Sequence, residues 1–461
     1  MSKFITTLLL LLTASLGASA AQKLSNVVCF VKFADQESDE WEHDFDFYET
    51  LFNSTAEGAN SVRNFYSDMS YGKLDWESVL VRTVYVDSHN RNYFLPKSTS
   101  NPDGYSSLES ILGYPRLKTL VKDACAAIVD KLPSDVDTDG NDDGYVDNLV
   151  LVINGNSAIS ASNMLWPANN RNSNSAVTLG GAQVHNYLVV FDGANGYKSL
   201  QGIDINTGVL CHEMMHTLGA YDLYTSKSSV LNPVGTWDLM SDNGVTPQGF
   251  SAYVRSQYGR DYGDWLPESD IVEISRPGRY QINPISSASS SNVAYKIVPD
   301  PAKEEFFMIE YRDKTDMWDA QLPTSGLLVS RVHPGYGGNL GSDNAYELYI
   351  FRPGGSTTSG GTLSKAPLGP DTGRTSFGLD TDDDYPFYGD GTRAPFAITD
   401  VEANPDGSMS FNYSAAQSAI SDIIGDPADG ESAIYNLQGQ RLQRIITPGL
   451  YIVNGEKRLV R

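Results

Sequence analysis

Cysteine is nearly absent, with three residues in a chain of 461. Three thiols cannot build the disulfide framework of an exported, disulfide-stapled domain. Cys125 sits in LKTLVKDACAAIVDKL, where Leu117, Leu120, Val121, Ala124, Ile128 and Leu132 share its helical face, and Cys29 sits in the strand-like VVCFVKF. Both read as core thiols. Positive charge is scarce as well: 33 Lys and Arg stand against 57 Asp and Glu, a net charge of −24. That balance excludes a nucleic-acid phosphate backbone as partner and fits solubility and cation binding. Beyond the first residues no run is apolar enough to span a bilayer.

The first residues, MSKFITTLLLLLTASLGASA, combine one lysine, an apolar run at Leu8 to Leu12 and the small residues Ala18-Ser19-Ala20. This is the pattern of a secretory signal peptide over residues 1–20, which places the mature protein outside the cell or at its surface. Cys29 lies well past that cleavage site, so it is not a lipoprotein cysteine. The strand-like KLSNVVCFVKFAD begins almost at once and leaves no room for a pro-segment.

Length allows about three domains, and 40% apolar residues suffice for a sizeable core. Helical spacing at Ser61 to Met69 and Leu117 to Leu132 alternates with strands at Asp147 to Ile153 and Asn186 to Phe191. An α+β fold follows, with one mixed α/β domain over residues 21–265. From 266 to 415, runs such as AYKIVPD, FFMIEYR, GLLVSRV and AYELYIF are separated by Gly, Pro, Ser and Asp, which predicts a β-rich domain. A small-residue acidic link and a short β tail fill 416–461, and no internal repeat is visible.

Only six histidines occur, and two stand four residues apart around a glutamate in CHEMMHTLGAYD, residues 211–222. Asn206 or Thr207 can cap a helix there and Gly219 can end it, while Val209, Leu210, Met214, Met215 and Leu218 predict that it is buried. Positions i and i+4 share one helix face, so His212 and His216 can aim at one zinc ion about 2 Å from each ring nitrogen. Glu213, one residue around the helix, flanks the ion and serves as general base. Gly219 lets the chain turn so that Asp222 supplies a third ligand and leaves one position open. Eighteen residues beyond Asp222, GTWDLMSDNG places Met240 in a turn-like setting, matching the methionine floor of metzincins. Read alone, Met240 is a core methionine. His43, His89, His185 and His333 lack ligand spacing and read as ordinary surface or core residues.

The run GVLCHEMMHTLGAYDLY with GTWDLMS resembles the immune inhibitor A family of secreted bacterial metallopeptidases. So do SVRNFYSDMSYGKLDW, DGYVDNLVLV, LWPANN and EEFFMIEYRDKTDMWDAQLPTSGLLVSRVHP, and together they extend the resemblance over residues 24 to about 335. The resemblance implies a metzincin-like zincin fold, zinc held by His212, His216 and Asp222, catalysis by Glu213 and a Met-turn at Met240. It departs from the family in the missing pro-segment. The tyrosine that some metzincins place soon after the methionine is also absent, because Ser241 and Asp242 follow Met240, so no electrophile besides zinc is evident. The expected reaction is hydrolysis of extended polypeptides along a cleft edge, by attack of a zinc-bound water with Glu213 as base, in a monomer.

The segment DVDTDGNDDGYVDN suits calcium, with Asp139, Asn141, Asp143 and Asp147 as the favoured ligands. An EF-hand's terminal glutamate is absent, since Val146 occupies that position, and a solvated acidic turn is the competing reading. LDTDDDYPFYGDG reads as surface. The tail, AIYNLQGQRL and GLYIVNGEKRLV, resembles a type IX secretion sorting domain, which would make the secretion machinery a partner; a β-cap on the preceding domain fits as well. Two functions therefore remain open at the level of sequence: a secreted zinc endopeptidase, and a calcium-dependent binding or adhesion protein with a structural or degenerate zinc site.

Overall fold

A computed structural model describes residues 20–36, 41–157, 163–171, 177–193, 204–225, 231–341, 345–379, 384–415, 434–436, 441–442, 449–453 and 456–460. The signal-peptide pattern, apart from its last residue, and the acidic link from 416 to 433 lie outside the described residues.

The first half is an α/β layer. In chain order come β1 (Gln22–Phe33), α1 (Phe45–Asn53), α2 (Val62–Met69), β2 (Leu74–Asp87), α3 (Ser107–Ile111), α4 (Pro115–Ile128), β3 (Asn148–Asn154) and β4 (Ala168–Arg171). The two-residue strands β5 (Thr178–Leu179) and β6 (Ala182–Gln183) follow, then β7 (Asn186–Asp192), α5 (Thr207–Thr217) and α6 (Ala252–Tyr258). The main sheet has the order β2-β1-β3-β7-β4. Its first four strands run parallel, and the edge strand β4 runs antiparallel to β7.

The continuous apolar runs of β1 and β3 follow from coverage on both faces. Val28, Phe30, Val150 and Val152 pack on one side with Phe65 and Tyr66 of α2 and with Leu210, Met214 and Met215 of α5. Val27, Cys29, Val31, Leu149 and Leu151 pack on the other with Leu117, Leu120, Val121 and Cys125 of α4. The two-residue period of a strand sorts these side chains between the faces. Cys29 and Cys125 are thus buried in the core, as their patterns predict.

The second half is all β: β8 (Ile271–Glu273), β9 (Gly278–Ile282), β10 (Ala294–Ile297), β11 (Phe306–Arg312), β12 (Gly326–Val332), β13 (Leu348–Ile350), β14 (Phe396–Ala403) and β15 (Met409–Ala415). A five-stranded sheet, β13-β12-β11-β10-β8, faces a three-stranded sheet, β14-β15-β9. Ile297, Phe307, Ile309, Phe396, Ile398 and Phe411 fill the space between them. The opposite face of the larger sheet sends Met308, Leu328, Val332 and Ile350 into the same core as α5. The two halves therefore share apolar packing beneath the active-site helix.

In the tail, β16 (Ile434–Tyr435), β17 (Arg441–Leu442), β18 (Gly449–Val453) and β19 (Glu456–Val460) form a sheet in the order β17-β16-β18-β19. No described helix is long and apolar enough to cross a membrane.

Candidate metal centre

Helix α5 starts where the Asn206 side chain accepts the Val209 amide at 3.0 Å. It stops at Gly219, whose φ of +97° is a left-handed turn that a side chain would strain. The chain then folds back: Gly219 N donates to His216 O at 3.0 Å and Ala220 N to Met215 O at 3.2 Å. That reversal brings Asp222 over the face carrying the two histidines.

Each ring has one nitrogen committed. His212 Nδ1 lies 2.8 Å from Leu239 O and His216 Nδ1 lies 2.7 Å from Ala220 O. A carbonyl can only accept, so both Nδ1 atoms carry hydrogen and both Nε2 lone pairs point the other way. The Nε2 atoms lie 3.3 and 3.4 Å from Asp222 Oδ1. This is long for a charge-assisted hydrogen bond, which settles near 2.7–2.9 Å. It matches the spacing of about 3.3 Å between ligands placed tetrahedrally about 2 Å from one zinc. Asp222 Oδ1 is also buried with no hydrogen-bond donor. Among the described residues, these three form the sole group of His, Cys, Asp and Glu able to converge on one ion.

Burial pushes the Asp222 carboxyl up, and its contacts with His212 and His216 overcome that and leave it well below the usual carboxylate range. Glu213 goes the other way: burial raises it, and the two imidazoles only partly offset the rise.

Glu213 is held by the sheet edge. Its Oε2 accepts the Asn169 amide of β4 at 2.7 Å. The Asn169 side chain donates to Glu213 O at 2.9 Å and to Thr217 Oγ1 at 2.7 Å. Thr217 in turn donates to Asn148 Oδ1 of β3 at 2.9 Å. The base and the open edge of β4 thus form one unit.

Beneath the site, Met240 is fully buried and its carbonyl accepts the Leu223 amide at 2.8 Å. The turn is tied by Asp238, which accepts Met240 N at 2.8 Å and Ser251 N at 2.7 Å. Arg312 of β11, buried and paired with Asp319, donates to the Trp237 carbonyl at 2.5 Å. A second brace from the β-rich half reaches the third candidate ligand itself. Asn339 N donates to Asp222 O at 2.8 Å, and its side chain donates to Leu223 O at 2.7 Å and to Leu348 O at 2.8 Å. A Cβ on the neighbouring Gly338 would stand 2.8 Å from both Asp222 O and Tyr221 Cβ, so only glycine allows this approach. Glu347 fastens the loop by accepting from Gly338 N, from Tyr258 and, at 2.6 Å, from Tyr253.

The predicted calcium set is not brought together. Both oxygens of Asp139 accept backbone amides, from Asp143 at 2.9 Å and Gly144 at 2.9 Å. Asp143 accepts Tyr145 N at 2.8 Å and the Asn141 side chain at 3.0 Å. Asp147 turns inward to accept Ser25 N at 2.8 Å and Gly140 N at 3.0 Å. Among the described residues the three carboxylates do not converge. These carboxylates accept the turn's own amides and point along the turn instead of at a shared centre.

Sequence spacing missed Asn169, Asn339 and Arg312, whose partners lie 44 to 116 positions away. It also missed Tyr224. The tyrosine that some metzincins place after the methionine is absent, but Tyr224 lies near Asp222, and burial followed by the charge of Asp222 raises its pKa. Its position two residues after Asp222 was the one available signal.

Two imidazoles, one carboxylate and an adjacent carboxylate base make up a candidate mononuclear metal centre of the hydrolytic kind. The sequence profile of the immune inhibitor A peptidase M6 catalytic domain matches residues 26–266, just over half of the chain. The chain belongs to that family and is a metallopeptidase. A search of curated proteins found no match. Three crystal structures of OgpA from Akkermansia muciniphila are similar. One of the wild type shares 11% identity at TM-score 0.27, covering 65% of this chain and 74% of that one. Another wild-type structure shares 10% at 0.27, covering 74% and 96%. The catalytically inactive form in complex with an O-glycopeptide (glycodrosocin) substrate shares 10% at 0.26, covering 72% and 89%. Similarity at that level carries no argument about fold or activity.

Proposed function

We propose that the protein is a secreted zinc endopeptidase in which His212, His216 and Asp222 hold the metal, Glu213 is the general base and Met240 forms the floor. The observation that carries this reading is the orphaned Asp222 Oδ1 at 3.3 and 3.4 Å from two Nε2 lone pairs. Nitrogen and carboxylate ligands with such spacing suit zinc. A bound zinc supplies Lewis-acid polarisation of a carbonyl and brings the pKa of a coordinated water to about 7.

The chain's own residues do the rest. Strand β4 is the edge of the main sheet, so its outer backbone groups are available to pair with an extended substrate. Asn169 N fixes Glu213 Oε2 beside that edge, leaving Oε1 to take a proton from the attacking water and return it to the leaving amine. Burial raises the Glu213 pKa, which suits a group that must both take and give a proton. Asn339 holds Asp222 by its backbone carbonyl.

Export rests on the leader pattern of residues 1–20, and the β tail is read as a sorting segment or a cap. The calcium-dependent binding protein is less well supported, because among the described residues the carboxylates of its acidic loop do not converge on one point. Metal analysis of the purified protein should find one zinc per chain, with casein digestion abolished by chelator and restored by zinc. Digestion that survives Glu213→Ala would show the assigned base to be wrong.

A further inference from the structure

A cavity of about 310 Å³ opens onto the candidate metal centre, with His216 and Asp222 in its lining, Tyr221 and Leu340 along one wall and Asn169 and Arg171 on the sheet side. Asn169 and Arg171 are alternate residues of β4 and so share one face. That face is fixed by the Asn169 side chain, which donates to Glu213 O and Thr217 Oγ1 of α5. Arg171 therefore points into the cleft about 6.6 Å along the edge from the base, roughly one substrate residue pair away.

Its guanidinium is exposed and, among the described residues, has no ion-pair or hydrogen-bond partner. Acidic residues outnumber basic ones by 24 in this chain (57 against 33). Arg63, Arg116 and Arg312 all take carboxylates, and even the exposed Arg279 takes Glu402. The wall opposite is apolar and fixed: the Tyr221 ring lies 3.5 Å from where a Cβ on Gly337 would stand, and Gly337 itself adopts a φ of +57°. A pocket that has the candidate metal centre at one end, an apolar wall and an unpaired cation further along the sheet edge accepts a group with an apolar stem and an anionic end.

Resting on the peptidase reading of this site, we propose that Arg171 is a specificity-determining residue that selects substrates presenting a carboxylate next to the scissile bond. Two sources share that chemistry: a glutamate or aspartate side chain, and the carboxylate of a chain end. Without Arg171, the nearby carboxylates of Glu213 and Asp222 and the chain's net charge of −24 would repel either.

The test uses matched fluorogenic peptides carrying Glu, Gln or Lys at each residue flanking the cleaved bond, each made with an amidated and a free C-terminus. The zinc-loaded protein should show kcat/KM about tenfold higher for the Glu peptide than for the Gln peptide, the size of one well-formed ion pair. Arg171→Gln should bring the ratio to about one, Arg171→Lys should retain most of it and Arg171→Glu should turn it towards the Lys peptide. A preference that persists in the amidated series assigns the side chain, and one confined to free acids assigns the chain end. Dissociation constants for the same peptides, read by fluorescence anisotropy on the Glu213→Gln protein, give the selectivity without turnover. Selective binding that Arg171→Gln removes, found in a zinc-loaded protein that cleaves none of the peptides, would leave the carboxylate pocket standing and overturn the peptidase reading. A Glu-to-Gln ratio within twofold in the unmodified protein, or one that Arg171→Gln does not change, overturns the assignment of Arg171.

Discussion

Two parts of this chain carry acidic residues in metal-ligand spacing, and they are built oppositely. In the loop from Asp139 to Asp147, the carboxylate oxygens accept amides of the loop itself or of β1. At the end of α5, each imidazole spends one nitrogen on a carbonyl, while Asp222 Oδ1 stays buried without a donor. A buried acceptor left unpaired costs about 1–3 kcal/mol, so a fold that keeps one has a reason outside its own hydrogen bonds. What separates the candidate metal centre from the acidic turn is therefore whether the ligand atoms converge on one point, a property that letter spacing does not record.

The largest effect that would sharpen this contrast is expected at the base. Glu213→Ala should lower casein hydrolysis by about 10²–10⁴-fold with one zinc still bound, whereas Asp139→Ala should leave both zinc content and hydrolysis unchanged. Equal losses from the two substitutions would erase the distinction. Next in size is the brace on Asp222. Asn339→Ala should weaken zinc binding about 10–100-fold in chelator competition, the usual consequence of removing a residue that orients a ligand. It should also lower stability by about 1–3 kcal/mol, because Leu223 O and Leu348 O lose a buried donor.

A smaller effect is expected from pH in the metal-free protein. Burial, reinforced by the charges of Asp139 and Asp137, raises the Asp147 pKa to about 7 despite its backbone bonds. The folded carboxyl then keeps a proton that the unfolded chain releases near pH 4, so its contribution to stability is complete below about pH 4 and is lost as pH rises towards 7. Asp147→Asn should flatten that decline, with a difference on the order of 2–4 kcal/mol above pH 7 in urea titrations. The smallest expected change is in the response to calcium. Millimolar calcium should leave the Tm of the zinc-loaded protein where it was, and a rise of several degrees would mean that the loop surrenders its amide bonds to an ion.

Much of this was legible in the sequence, because it depends on neighbours. The α5 cap at Asn206, the turn at Gly219 and the projection of His212 and His216 from one face follow from local geometry. The buried strands β1, β3 and β7 announce themselves as unbroken apolar runs. Asn169, Arg171, Arg312 and Asn339 carry no local signature. An asparagine that holds a loop looks like any other until the fold places it, and the acidic spacing of residues 139–147 does not record whether its carboxylates converge.

The grip of Asn339 and Gly338 on the Asp222 segment bears on how the protein can be cut down. A fragment ending near residue 266 would contain every residue of the zinc motif and still lack the hand that holds the third one in place. It would also expose the apolar surface of α5 on which Met308, Leu328 and Val332 now rest. Producing the first half alone should therefore give a sticky, weakly metallated polypeptide, and the smallest useful unit for biochemistry runs through β15.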